Sequence, residues 1–317
     1  MGKIALAALP ASRLLAKPDS KISGVQIGLQ TYSFRAVTAD VDEIIKDMVK
    51  IGLSAAELMS NSVELAAGAP AMPRMGPPPG VTPGTPPTPE QMAAMRARNN
   101  GPEMQKAREE LANWRKSAPV DKFKMVRQKF DTAGIDLRLL CYNMNERTTD
   151  DEIDYAFQMA KALGVKAMTT STQVTVSKRI APFSDKYKMM VGYHGHDNVN
   201  NPNEFATLES FATAMTYSKY AAINLDIGHF TASNFDPIPY IKEHQDRITN
   251  LHLKDRKKDH GPNTPWGQGD TPIKAVLQLM KKEKYPFPAN IEYEYKGESD
   301  PVTEVAKCYE YCKENLA

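Results

Sequence analysis

All six histidines of this chain fall between His194 and His260, and several of them close short apolar runs that read as β-strands. His194 and His196 end Met-Val-Gly-Tyr-His-Gly-His, Asp226 and His229 sit in Leu-Asp-Ile-Gly-His, and His252 interrupts Ile-Thr-Asn-Leu-His-Leu-Lys-Asp. Glu292 takes the corresponding place in Asn-Ile-Glu-Tyr-Glu-Tyr. A half-buried strand carries imidazoles and carboxylates only where something compensates them. A lone histidine at a strand end is ordinarily a hydrogen-bonded core residue, but four ligand-type groups on four consecutive strands point to a divalent metal. Two imidazoles and two carboxylates from His194, Asp226, His252 and Glu292 suit Mn²⁺, Zn²⁺, Co²⁺ or Fe²⁺ better than Ca²⁺.

The elements that must bring these groups together alternate along the chain. Strands are expected near 25–34, 55–59, 137–143, 166–170, 190–194, 222–227, 248–253 and 290–295, with helices between them such as 41–51, 150–163, 205–215 and 273–282. Gly52, Gly134 and Gly164 stop helices and feed the next strand. Eight such repeats predict an α/β chain folded as a single (β/α)₈ TIM barrel over 21–317, where strand C-termini ring one pocket. A doubly wound open sheet is the rival, weakened because no glycine-rich phosphate fingerprint follows the first strand. Residues 66–102, crowded with Pro, Gly, Met and Ala, are expected to form an extended or disordered insertion after the second strand. Lying in a βα loop, it either covers the pocket mouth or serves as a solvated linker. A charged helical stretch is expected to follow from Glu103 through Phe130.

Composition narrows the partners. The 317 residues carry 25% charged and 41% hydrophobic side chains, ordinary for a globular protein. A net charge of +2 gives no electrostatic reason to expect nucleic acid or an anionic membrane. No apolar run is long enough to span a bilayer. Three cysteines make no disulfide framework; Cys308 and Cys312, four apart on a helical pattern, read as small core residues, and Cys141 as a strand-end residue bordering a pocket. Residues 1–20 read either as a signal-peptide remnant, apolar and Ala-rich from Ile4 to Ala16, or as a frayed terminus. The first reading places the mature protein in the periplasm or outside the cell, the second in the cytoplasm. Nothing in the sequence sets the oligomeric state.

Taken in order, Ala-Ala-Glu-Leu around Glu57, Gly-Tyr-His-Gly-His at 192–196, Leu-Asp-Ile-Gly-His at 225–229, His-Leu-Lys-Asp at 252–255, Trp-Gly-Gln-Gly-Asp at 266–270 and Ile-Glu-Tyr-Glu at 291–294 resemble the xylose-isomerase-like barrel superfamily of sugar phosphate isomerases and epimerases. The resemblance runs from about Val25 to the C-terminus, outside the insertion. It implies that Asp226, His252 and Glu292 are metal ligands, that His229 neighbours the ligand Asp, and that Lys254 lines the pocket. The ketose 3-epimerases of that group carry a Glu on the fifth strand, where this chain has His194. A metal-bound imidazole is a poor base, so epimerisation between two facing carboxylates is not expected here.

The chemistry expected instead needs a metal and one base: proton removal next to a carbonyl, an enediolate, then reprotonation or loss of a β-substituent. Candidate catalytic groups are His196, His229, Lys254, Glu294 and Glu57. Glu294 shares a strand face with Glu292, and Glu57 comes from the second strand across the barrel. Tyr32, Phe34 and Trp266 are candidate walls for a sugar. The leading reading is an isomerase or epimerase-type enzyme on a keto-sugar or related polyol. A lyase acting on 3-keto-glycosides is the nearest alternative, ahead of an abasic-site endonuclease, which would need further ligands on strands two and three, and of a non-catalytic sugar-binding barrel.

Overall fold

The computed structural model describes residues 17–73 and 88–317. Eight parallel strands close on themselves: β1 Val25–Gln30, β2 Ala55–Met59, β3 Asp136–Cys141, β4 Ala167–Thr170, β5 Met190–His194, β6 Ala221–Asp226, β7 Ile248–Leu253 and β8 Ala289–Ile291. Each pairs with the next, and β8 returns to β1 through Ile27–Ala289, Gly28–Asn290 and Leu29–Ile291. A two-residue strand, Lys21–Ile22, leans antiparallel on β1. The expected TIM barrel is the observed fold. Both faces of its strands are covered, so β6 and β7 are buried along their whole length.

Local chemistry accounts for the helices. In Val41–Ile51, Asp40 accepts from the backbone N–H groups of Asp42 and Glu43, Val41, Ile44 and Met48 face inward at helical spacing, and Gly52 at φ 95° ends the helix. Thr149 and Glu152 form a reciprocal cap on Asp150–Leu163, which Gly164 closes at φ 63°.

Several boundaries differ from expectation. The first strand stops at Gln30, whose side-chain oxygen accepts from Tyr32 N, and Thr31–Phe34 coils into a 3₁₀ turn. The last strand ends at Ile291, because beyond Glu292 the backbone N–H of Tyr293 turns to the Ser33 hydroxyl. The helix expected from 205 begins at Leu208, where Thr207 caps it. The insertion is not irregular throughout: Pro89–Asn99 is a helix, started by a Thr88–Gln91 capping box with proline at its first position, where a missing N–H costs nothing. The charged stretch after it is two helices, Pro102–Arg115 and Val120–Ala133, parted at Pro119. The signal-peptide reading of residues 1–16 and the Pro-rich part at 74–87 lie outside the described residues. No described helix is long and apolar enough to cross a membrane.

Inside the barrel the space is closely allotted. A Cβ at Gly28 would stand 2.2 Å from Asn290 Oδ1 and 3.1 Å from the Ala55 carbonyl. Gly28→Ala is therefore expected to displace Asn290 and lower stability by about 1–3 kcal/mol, measured by chemical denaturation.

Candidate metal centre

The C-terminal ends of β5 to β8 carry the four expected ligands to one point. His194 ends β5, Asp226 ends β6 directly opposite His252 of β7, and Glu292 follows β8. One ligand atom from each of the four lies within 4.8 Å of the others. His194 Nε2 is 3.5 Å from Asp226 Oδ2 and 3.7 Å from Glu292 Oε2, and His252 Nδ1 is 3.2 Å from Glu292 Oε2. Asp226 serves two purposes. Its Oδ1 caps the helix Ile227–Ala232 by accepting from Gly228 and His229 N–H, which fixes Oδ2 toward the pocket.

The donor set fits a divalent ion. Both ring nitrogens of His194, Asp226 Oδ2, His252 Nδ1 and Glu292 Oε2 are buried and make no hydrogen bond. Buried polar atoms are normally satisfied, so this many orphans on one cluster call for a ligand. Lys254 Nζ does stand 2.9 Å from both carboxylate oxygens, a charge contact outside hydrogen-bond geometry. Its single charge faces Asp226, Glu292 and also Glu294, 2.6 Å away.

Beneath the ligands lies a polar layer that sequence reading missed. Glu57, with 0% exposure, accepts from Thr169 at 2.5 Å, Asn250 at 3.0 Å, Asn290 at 2.9 Å, Asn224 at 3.4 Å and His252 Nε2 at 2.7 Å. Burial acts to raise its pKa, but the His252 charge and these bonds outweigh it and hold the carboxyl below its usual range. Burial likewise opposes the charged form of His252, yet Glu57 and Glu292 raise its pKa well above normal. Through its bond to Nε2, Glu57 orients His252 so that Nδ1 points at the cluster. A signal was present. Asn224, Asn250 and Asn290 each stand two positions before a ligand, on the same strand face and one layer deeper.

Above the ligands, Lys254 is 2% exposed and its Nζ lies 3.1 Å from His229 Nε2. Burial opposes its charge, but Asp226, Glu292 and Glu294 raise its pKa well above normal, so it stays an ammonium. His229 is pressed toward the neutral form by burial and by Lys254. Arg256 Nη1 lies 2.6 Å from its Nδ1, and Asp197, bonded to Arg256 at 2.9 Å, lies 3.4 Å from it; neither partner was foreseen. Burial and the neighbouring His194 push the His196 pKa down to about 3, leaving a neutral imidazole with Nε2 3.2 Å from the Ser171 hydroxyl.

These groups open into a cavity of about 360 Å³, also lined by Gln30, Tyr32, Met59 and Asn143. Tyr32 stands at the mouth, 39% exposed, with the Arg35 guanidinium 4.4 Å above its ring. The other two expected walls are elsewhere. Phe34 is fully buried in the core, carried there by the 3₁₀ turn. Trp266 packs edge-on against Tyr311 at 5.9 Å and lines a separate cavity with Tyr295 and Glu304. Cys141 lines the pocket, but burial pushes its thiol pKa up, away from a reactive thiolate.

The chain belongs to the xylose isomerase-like TIM barrel family, whose model matches residues 103–314. It is similar to the L-ribulose-5-phosphate 3-epimerase UlaE of Escherichia coli (strain ATCC 8739), 26% identical over 119 residues, 36% of this chain and 42% of that protein. It therefore spans less than half the length of the curated relatives it matches. Among solved structures it resembles a sugar phosphate isomerase/epimerase from Parabacteroides distasonis, with a TM-score of 0.59 at 15% identity over 92% of this chain and 95% of that one. The 3-keto-D-glucoside 4-epimerase YcjR of E. coli gives a TM-score of 0.58 at 10% identity over 92% and 99%. The IOLI protein, solved with a zinc atom, gives 0.56 at 13% over 92% and 96%. At such identities these structures share the fold.

Two outcomes are expected in titrations with Zn²⁺ or Mn²⁺. Glu292→Ala abolishes stoichiometric binding, whereas Cys308→Ala, a change inside the buried face of Pro301–Leu316, leaves it intact. Glu57→Gln weakens binding by roughly 10- to 100-fold, because His252 loses its orienting carboxylate; unchanged affinity would remove Glu57 from the supporting role.

Proposed function

We propose that this protein is a divalent-metal-dependent enzyme of the isomerase/epimerase type that removes a proton next to the carbonyl of a keto-sugar or related polyol. The observation that carries the reading is the convergence of four unpartnered ligand atoms beside a buried ammonium and a neutral imidazole in one cavity. An ion held by His194, Asp226, His252 and Glu292 supplies Lewis-acid polarisation of a carbonyl and its neighbouring hydroxyl, and Mn²⁺, Zn²⁺, Co²⁺ or Fe²⁺ suits the donor set.

The chain's own residues do the rest. Lys254, kept protonated, stabilises negative charge on the oxygen of an enediolate. His196 lines the pocket with Nε2 3.2 Å from the Ser171 hydroxyl, and it is the base we assign. Glu294 and His229 hold Lys254 in place from two sides. Tyr32 and Arg35 border the mouth, where they bear on an entering sugar.

With His194 at the end of β5 and Glu57 immobilised beneath it, the described residues lining the pocket place no carboxylate at the β5 end to face Glu292. That arrangement supports isomerisation, or loss of a β-substituent from the enediolate, over 3-epimerisation. Nucleic acid is not the expected substrate: the ends of β2 and β3 carry Met59 and Cys141, and among the described residues one potential metal cluster occurs.

The test is solvent exchange. Metal-loaded protein in deuterated water should incorporate deuterium next to the carbonyl of a ketohexose, followed by NMR. His196→Gln should keep its metal and lose about 10²- to 10⁴-fold in exchange rate. Fast C3 epimerisation by the unaltered protein would reveal a second base, and unimpaired exchange by His196→Gln would remove His196 from that role.

A further inference from the structure

We propose that the open cavity beside the metal centre, walled by Pro102–Arg115 of the charged stretch following the insertion, is a second subsite for a neutral, hydroxyl-rich group: another sugar ring joined to the sugar in the metal pocket. The inference rests on the function proposed above and narrows its substrate class to an unphosphorylated glycoside.

Continuity comes first. Met59 and Asn143 are walls of both cavities, so the two adjoin across these side chains. The inner cavity, about 360 Å³, is near the lower end of ligand sites, and the outer one, about 870 Å³, near the upper end, against a typical range of about 300–1,000 Å³. Leu111 and Ala112 present the helix to the outer cavity as its apolar wall.

Charge then decides the ligand. Arg108, Arg115 and Arg147 line the outer cavity together with Glu109, Glu146 and Glu152, so the formal charges cancel. Arg115 is already committed, donating to both oxygens of Glu64 at 2.7 and 3.1 Å and to Glu152 at 3.0 Å. Arg147 donates to Asn100 at 3.3 Å. A phosphate dianion would meet no net positive field there. Nor would it in the inner pocket, where the three carboxylates around Lys254 offset that ammonium together with a bound divalent ion.

What the outer cavity does offer suits a polyol. Asn61, Asn143 and Asn145 each present an amide that can donate and accept. Tyr142 and Gln173 line the same cavity, and the buried Tyr142 hydroxyl and Gln173 Oε1 have no hydrogen-bond partner in the protein. Amides that donate and accept beside an apolar wall match ring hydroxyls rather than a compact anion.

The experiment uses the full chain loaded with Mn²⁺. Deuterium exchange is measured for D-fructose, D-fructose 6-phosphate, and the fructose disaccharides lactulose and turanose. At least one disaccharide should exceed fructose in kcat/KM by about tenfold or more, with the phosphate ester no better than fructose. Ala112→Trp, which places an indole in the outer cavity, should remove the disaccharide advantage and leave fructose exchange unchanged. Arg108→Ala tests the same wall without added bulk and should reduce the advantage by up to about tenfold. Preference for the phosphate ester, equal use of fructose and the disaccharides, or equal losses on both in Ala112→Trp would overturn the subsite. Calorimetric binding of lactitol, which has no carbonyl, reads the subsite apart from turnover. Should no sugar exchange, the proposed chemistry fails. Saturable lactitol binding weakened by Ala112→Trp still supports the subsite, and no lactitol binding overturns it.

Discussion

A carboxylate at the centre of a barrel, with no water to solvate it, is tolerable only if every lone pair is occupied, and Glu57 meets that condition through five side chains from four other strands. The rest of the site is arranged over this one anion. Its bond to His252 Nε2 decides which ring nitrogen faces the ligand cluster, and its bonds to Asn224, Asn250 and Asn290 tie together the strands that carry Asp226, His252 and Glu292. Breaking a buried pair of this kind leaves an uncompensated charge, which is why the layer admits so little variation in shape. Gly28 is small because Asn290 needs its space, and Gly192 because Thr249 Oγ1 would lie 2.2 Å from a Cβ there.

Stacked on that layer, the ligands and the polar roof follow the two-residue period of the strands. On β7, Asn250, His252 and Lys254 succeed one another from the polar layer, through the ligand level, to the ammonium above it. From Asn290 on β8 the same order continues past the end of the strand through Glu292 to Glu294. The geometry explains how one pocket holds groups of opposed electrostatic character: His252 favours its charged form because two carboxylates flank it, while His196, a few ångströms away, favours its neutral form because burial and other imidazoles surround it. Environment, and not residue type, sets which of the two imidazoles is drawn toward its protonated form.

The insertion contributes in a different way. Its described residues form no strand of the barrel, yet they lead into Pro102–Arg115, a helix anchored by Arg115 between Glu64 and Glu152. That anchor joins three segments remote in sequence and sets one wall of the space outside the metal pocket. A barrel of this family can keep its central chemistry while a loop after one strand redefines what reaches it.

How much of this was legible beforehand depended on the range of the interaction. Strand and helix limits set by neighbours were readable: 190–194 and 248–253 as strands, 41–51 and 150–163 as helices, each bounded by a cap or a glycine a few residues away. The meeting of His194, Asp226, His252 and Glu292 was readable for the same reason, since strand periodicity and the ring of strand ends in a barrel bring them together without further information. Phe34 and Trp266 were misplaced because a 3₁₀ turn and a long loop, not a strand, set their directions. The helix at Pro89–Asn99 was marked by its own Thr-Pro-Glu-Gln start, but surrounding prolines masked it. Glu57 could be singled out in its Ala-Ala-Glu-Leu run on the second strand but not matched to its partners, because they lie 112 to 233 residues further along. Local propensity and period were determined by the sequence itself; which charge meets which partner was decided only when the barrel closed, because electrostatics acts through space and not along the chain.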